Sequence, residues 1–241
     1  MKPMLTMLAV FTLVGAAWAA EKPNLDPIAT TLQDEEPGSE CVLTEICYDW
    51  DFAQSDHGFM PAPCDTGGAP VWGYGATAFI PGAPGNVWGT VLNGNYLNNS
   101  GEGLYSPVFT VSPGCNLMEI KHFVHIETNY DGCNVTIDEI VVPPFEGYDA
   151  TISTSTSYYA YCVDLEEGFT GNGFSGVSRT WGKSCFDLEP WMGMTIRVRF
   201  DFGSDSSVAY PGWYLAYVKI GSGSPINNEQ STWGSLKSLY R

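Results

Sequence analysis

Tyr48-Asp49-Trp50-Asp51-Phe52 alternates aromatic and acidic side chains. In a strand successive side chains point to opposite faces, so this pattern predicts three rings turned to a core and both carboxylates turned outward. Further apolar runs follow: Gly103 to Val111, Leu117 to Glu127, Asn134 to Val142, a Tyr-rich segment from Ser157 to Asp164, Met194 to Phe202 and Gly212 to Ile220. Turn formers separate nearly all of them, which predicts strands. Asn129-Tyr130-Asp131-Gly132 predicts a tight hairpin between Leu117–Glu127 and Asn134–Val142, because Asp-Gly accepts the positive φ values such a turn needs. Gly- and Pro-rich sequence from Met60 to Asn86 predicts a long irregular loop, interrupted by Val71-Trp72-Gly73-Tyr74 and a brief Ala78-Phe79-Ile80 strand. With no substantial helical periodicity before the tail, the strands must bury their apolar faces by packing sheet on sheet. The expected fold is all-β: a two-sheet antiparallel jelly-roll sandwich with long Gly/Pro-rich loops.

The two ends read differently. Lys2, the apolar run Met4 to Gly15 and Ala17-Trp18-Ala19 predict a secretory signal peptide over 1–19, too short for a transmembrane anchor. Residues 20–40, acidic and poor in aromatics, predict a flexible leader. The jelly-roll domain is expected over 41–221. Gly-Ser-Gly-Ser-Pro past Ile220 opens an expected linker over 222–230. Over 231–241, Trp233, Leu236, Leu239 and Tyr240 fall on one stripe behind a Ser231 or Thr232 cap, which predicts a short amphipathic helical tail able to meet a surface or sorting partner.

Composition supports this reading and narrows the partners. The 241-residue chain holds 27 Gly, 16 Pro, 13 Tyr, 12 Phe and 8 Trp, as expected for short strands joined by tight turns. It carries 27 acidic against 10 basic side chains, so a phosphate backbone is repelled and nucleic acid is excluded as a partner. All seven cysteines, Cys41, Cys47, Cys64, Cys115, Cys133, Cys162 and Cys185, follow the signal, and export makes them disulfide candidates. Spacing leaves the pairing open. Cys41, Cys47 and Cys64 cluster around the first strand, and a bond between Cys162 and Cys185 would close a Gly-rich excursion at its base.

The ordered motifs Val87-Trp88-Gly89-Thr90-Val91-Leu92-Asn93-Gly94-Asn95-Tyr96, Leu104-Tyr105-Ser106-Pro107-Val108-Phe109, Tyr130-Asp131-Gly132-Cys133-Asn134-Val135-Thr136-Ile137, Arg199-Phe200-Asp201-Phe202-Gly203-Ser204-Asp205 and Pro211-Gly212-Trp213-Tyr214 resemble those of MAM-type jelly rolls and of modules attached to immune inhibitor A-like secreted metalloproteases. The resemblance covers about Asp49 to Ile220. It implies an accessory binding module with a structural calcium ion held by acids in the first and last strands. Here Phe52 is followed by Ala53, and Tyr214-Leu215 by Ala216-Tyr217, so both ends have lost those carboxylates. Asp49, Asp51 and Asp131 remain as metal candidates, more naturally read as solvated turn carboxylates.

Catalytic patterns do not assemble. H-E-x-x-H and G-x-S-x-G are absent, and Gly173-Phe174-Ser175-Gly176 reads as a turn. His122 and His125, three apart in a strand, face opposite ways and cannot share a metal. Glu127, Glu139, Glu166 and Glu167 offer carboxyls without a glycosidase pattern. The expected function is therefore a secreted, non-catalytic adhesion or binding module for an extracellular glycan or protein, needing no cofactor. Trp72, Tyr74, Trp181 and Tyr159 are the candidate ligand-binding rings. A structural extracellular component acting through protein contacts is the alternative, and a diverged glycosidase the third reading.

Overall fold

The computed structural model describes residues 40–63, 71–152, 171–178 and 180–226. Tyr159, the Tyr-rich segment around it, Cys64, Cys162, Glu166, Glu167 and the C-terminal tail lie outside the described residues, as does the signal and leader region up to residue 39.

Strands dominate the described chain. They are β1 (Glu40–Asp51), β2 (Met60–Pro63), β3 (Trp72–Ala76), β4 (Asn86–Thr90), β5 (Gly101–Tyr105), β6 (Phe109–Thr110), β7 (Leu117–His125) and β8 (Gly132–Ile137). The series continues with β9 (Ile140–Val141), β10 (Ala150–Ile152), β11 (Gly171–Gly173), β12 (Gly182–Asp187), β13 (Thr195–Ile196), β14 (Arg199–Gly203) and β15 (Gly212–Ile226). Among the described residues the helical content is one 3-10 turn at Glu189–Trp191.

Two antiparallel sheets face each other across the core. The first runs β12-β7-β15-β4-β3, with β1 also paired to β15, and the second runs β2-β5-β14-β8-β9. Chain order switches repeatedly between sheets, from β4 to β5, from β7 to β8 and from β14 to β15, which is jelly-roll connectivity. Trp50 and Phe52 lie in the core as the alternation requires, with Tyr48 packed at its edge. Phe200 and Phe202 of β14 face them from the second sheet, and Trp213 of β15 lies beside them on the first; all three are fully buried. Each such side chain contributes about 1.5–3 kcal/mol by leaving water.

Four expectations are corrected. Asn129–Gly132 is not a hairpin: β7 pairs with β12 and β15 in the first sheet, whereas β8 pairs with β14 and β9 in the second. The loop crosses the sandwich, Gly132 already belongs to β8, and Asp131 turns inward, fully buried. The Ala78–Ile80 strand is a bend, which drops Ile80 into a small apolar cluster with Phe123 and Tyr214. The linker expected from residue 222 is strand through Ile226, in register with Glu40 of β1. Its glycines are there for room: a Cβ on Gly221 or Gly223 would land on the carbonyl oxygens of Glu45 or Val42, where the bulged β1 crowds β15.

The fourth correction is the disulfide map. Cys185 bonds to Cys41, not to Cys162, and Cys47 bonds to Cys115. Both bonds tie β1, which has β15 as its strand partner, to other parts of the fold. Cys133 is a free, buried thiol, and burial pushes its ionisation well above the ordinary value.

Candidate functional site

The aromatic candidates serve the fold. Trp72 is 6% exposed, and its indole N–H donates to the Glu102 carbonyl at 3.1 Å. Tyr74, half-buried, donates its hydroxyl to the Phe52 carbonyl at 2.8 Å and packs on Trp88. Trp181, also half-buried, donates to the Pro81 carbonyl at 3.1 Å and lies against Phe123, fastening the loop before β4. The structure does not bring these three rings into one site.

The acids regroup. Asp49 sits on β1, 3.6 Å from the Lys219 ammonium, and Asp51 accepts the Ala53 N–H at the end of that strand. Asp131 joins neither. It meets Glu127 and Asp205, the three offering carboxylate oxygens within 4.8 Å of one another. Both Asp131 oxygens already accept protein hydrogen bonds, Oδ1 from the Asp205 N–H and Oδ2 from the Tyr96 hydroxyl, each at 2.6 Å. Burial pushes the Asp131 carboxyl up to about 7. The residues that the resemblance implied for calcium do converge, since the Phe52 N–H donates to the Ala216 carbonyl at 3.1 Å, but Ala53 and Ala216 bring no carboxylate there.

A groove of about 320 Å³ opens where β7 and β12 meet the segments after Val142 and β11; His122, Glu146, Asp149, Ser175, Lys183 and Ser184 are among its walls. Sequence reasoning assigned no role to Glu146, Asp149, Lys183 or Ser184. His122 points into the sandwich from β7 because even-numbered residues of that strand face the core. There Trp213, buried, needs an acceptor for its indole N–H and finds His122 Nδ1 at 3.0 Å. That bond fixes the tautomer: the ring proton is on Nε2, which donates to Ser184 Oγ at 3.2 Å. Ser184 in turn donates to Glu146 Oε1 at 2.8 Å.

The direction of this chain decides its chemistry. A nucleophilic serine donates its proton to a histidine base. Here the serine donates to a carboxylate and receives from the histidine, whose second nitrogen is taken by Trp213. Burial also pushes the His122 imidazolium down to about 3, so the ring is neutral at physiological pH. Ser175 is likewise held, its hydroxyl against the Glu127 and Asp131 carbonyls at 3.0 and 2.9 Å. His125, the other histidine of β7, stacks on Tyr210 and takes no part. The groove is lined by hydroxyls, two carboxylates and one ammonium, with Phe174 among its walls and exposed Phe145 next in chain to Glu146.

No protein-family model matches the chain. It is similar to bacillopeptidase F of Bacillus subtilis, 26% identical over 155 residues that make up 62% of this chain and 9% of that protein. The chain thus spans a small part of the relative's length. Among solved structures it is similar to a cleaved adhesin domain of Lys-gingipain from Porphyromonas gingivalis, at 17% identity and a TM-score of 0.41 over 73% of this chain and 98% of that one.

Proposed function

We propose that this chain is an exported, non-catalytic binding module whose ligand is a neutral, hydroxyl-rich glycan seated in the groove beside Ser184. The observation that carries the reading is the proton order Trp213 to His122 to Ser184 to Glu146, which leaves polar groups poised to bind and no base poised to activate a nucleophile. Sugar hydroxyls both donate and accept, and the Glu146 and Asp149 carboxylates beside the Lys183 ammonium match them in both senses. Two disulfides agree with an oxidising, extracellular setting. Among the described residues no helix is long and apolar enough to cross a membrane. The local similarity to a small part of a peptidase, together with the MAM-type motifs, supports an accessory module.

Binding in this reading needs no metal or other cofactor. A glycan array probed with the folded domain is expected to give hits that Lys183→Ala and Glu146→Gln weaken and that chelator leaves unchanged. Hydrolysis of any hit, lost in Glu146→Gln, would overturn the non-catalytic reading. An array with no hits would leave protein contact as the function.

A further inference from the structure

A second depression, of about 370 Å³, lies away from the groove, on the outer face of the second sheet. In register, Arg199 of β14 stands between Tyr105 of β5 and Thr136 of β8, all three on that face. Arg199 belongs to the fold: its Nε lies 2.7 Å from Oδ1 of the buried Asp201, and its Nη1 donates to the Tyr105 hydroxyl at 3.3 Å. Arg197 precedes it by two residues across the buried Val198 and is exposed, so its guanidinium rises from the same face.

The same hollow is walled by Asp138 and Glu139, the two-residue turn between β8 and β9, where Ile137 pairs with Ile140. Their φ values, 48° and 66°, are those of a turn that glycine makes without strain. A glycine in place of Glu139 would relieve the backbone, yet a carboxylate stands there, which points to work done by the side chain. Among the described residues, Arg197, Asp138 and Glu139 have no ion pair or side-chain hydrogen bond, with one another or with any neighbour. One uncommitted cation and two uncommitted acids thus line one hollow.

The rim is apolar. Val108 in the lining is 57% exposed, and Ile140 and Met194, next in chain to the lining residues Glu139 and Thr195, are 59% and 48% exposed. Met60 of β2, in register with Tyr105 on the same face, is 54% exposed. Singly such side chains are ordinary on a surface; four around one hollow form a patch of the kind that meets another protein. Tyr105 is the one aromatic in the lining, and Arg199 lies over its ring, so no open ring is left for stacking a sugar.

We propose that two copies of this chain associate through this face about a two-fold axis, Arg197 of each meeting Asp138 and Glu139 of the other while the apolar rims pack together. An unrelated partner would have to supply an acid for Arg197 and a cation for the carboxylates at matching places, whereas a copy turned about the axis supplies both by symmetry. The chain carries 27 acidic against 10 basic side chains, so its copies repel one another in general, and close approach needs a face on which the two signs are interspersed. The face is separate from the glycan groove, so the dimer presents two grooves and stands or falls independently of what they bind.

Sedimentation equilibrium of the protein at up to about 200 μM is expected to show monomer and dimer in exchange. Arg197→Glu and, separately, Asp138→Lys with Glu139→Lys are each expected to weaken the dimer at least about tenfold, because symmetry repeats every repulsion twice. All three positions are exposed, so the variants fold. Mixed in equal amounts, the two variants are expected to associate again as a heterodimer, since opposite charges then meet at both contacts. A protein that stays monomeric, a dimer that either reversal leaves intact, or variants that fail to associate on mixing overturns the proposal.

Discussion

The hydroxyl of Tyr96 donates to Asp131 Oδ2 at 2.6 Å and accepts the Glu127 N–H at 3.1 Å, joining the loop before β5 to the crossing between β7 and β8. Asp131 also receives the Asp205 N–H, so three separate loops close on one buried carboxyl. Burial raises the phenol as well as the carboxyl.

Tyr96→Phe is expected to cost about 1–3 kcal/mol in urea unfolding, because it leaves a fully buried acceptor and the Glu127 N–H without the hydroxyl. The pH dependence follows from the carboxyl. Its folded value, about 7, lies above its ordinary 3.8, so the folded state holds the proton more tightly. That contribution is whole below about pH 3.8 and is lost as pH rises through 7. Relative to wild type, Asp131→Asn should therefore gain stability between pH 5 and pH 8, by on the order of 2 kcal/mol. A difference that stays flat with pH would count against the buried neutral acid.

His122 behaves in the opposite sense. Its folded value, about 3, lies below 6.5, so the neutral ring's contribution is whole above pH 6.5 and declines as acid is added. Nitrogen NMR should show one tautomer, protonated on Nε2, unchanged between neutrality and about pH 5. A titration near 6.5, or a proton on Nδ1, would remove the basis for the proposed non-catalytic groove.

The disulfides make a chemical prediction. Non-reducing peptide mapping should link Cys41 to Cys185 and Cys47 to Cys115. Cys41→Ser with Cys185→Ser should cost about 2–5 kcal/mol, since that bond closes a separation of 144 residues. The Cys133 peptide should take up a thiol reagent only after denaturation, because the thiol is fully buried.

Arg199→Ala alone should destabilise by about 3–5 kcal/mol, leaving Asp201 buried without its cation. Burial already pushes Asp201 up to about 6 against the downward pull of Arg199. Arg199→Ala combined with Asp201→Ala should recover a large part of that loss. A double variant no better than the single would mean that the two side chains act separately.

Legibility in the sequence followed the range of the interactions. Alternation at Tyr48–Phe52 reports a local geometric rule, and Trp50 and Phe52 face the core as it requires. Asp131-Gly132 fits a hairpin locally, but the partners that turn Asp131 inward, Tyr96 and Asp205, are 35 and 74 residues away. Gly221 and Gly223 have the composition of a linker, and only the approach of β1 shows that they admit a neighbouring backbone. The groove was hidden for the same reason: Ser184 lies 62 residues from His122 and 38 from Glu146, in no motif. The jelly roll, by contrast, rests on strand spacing and turn residues, which the chain states openly.

β1 and β15 run antiparallel with Glu40 opposite Ile226, so the two ends of the paired ribbon leave the domain side by side. Tension applied at both ends would peel that ribbon one hydrogen-bonded rung at a time, the geometry in which strands resist least. Cys41 is the second residue of β1, and its bond to β12 keeps that strand from being drawn away after a single rung, with Cys47–Cys115 as a second stop. The first strand is thereby anchored by covalent sulfur, whereas the last, which carries no cysteine, is held by its pairing alone.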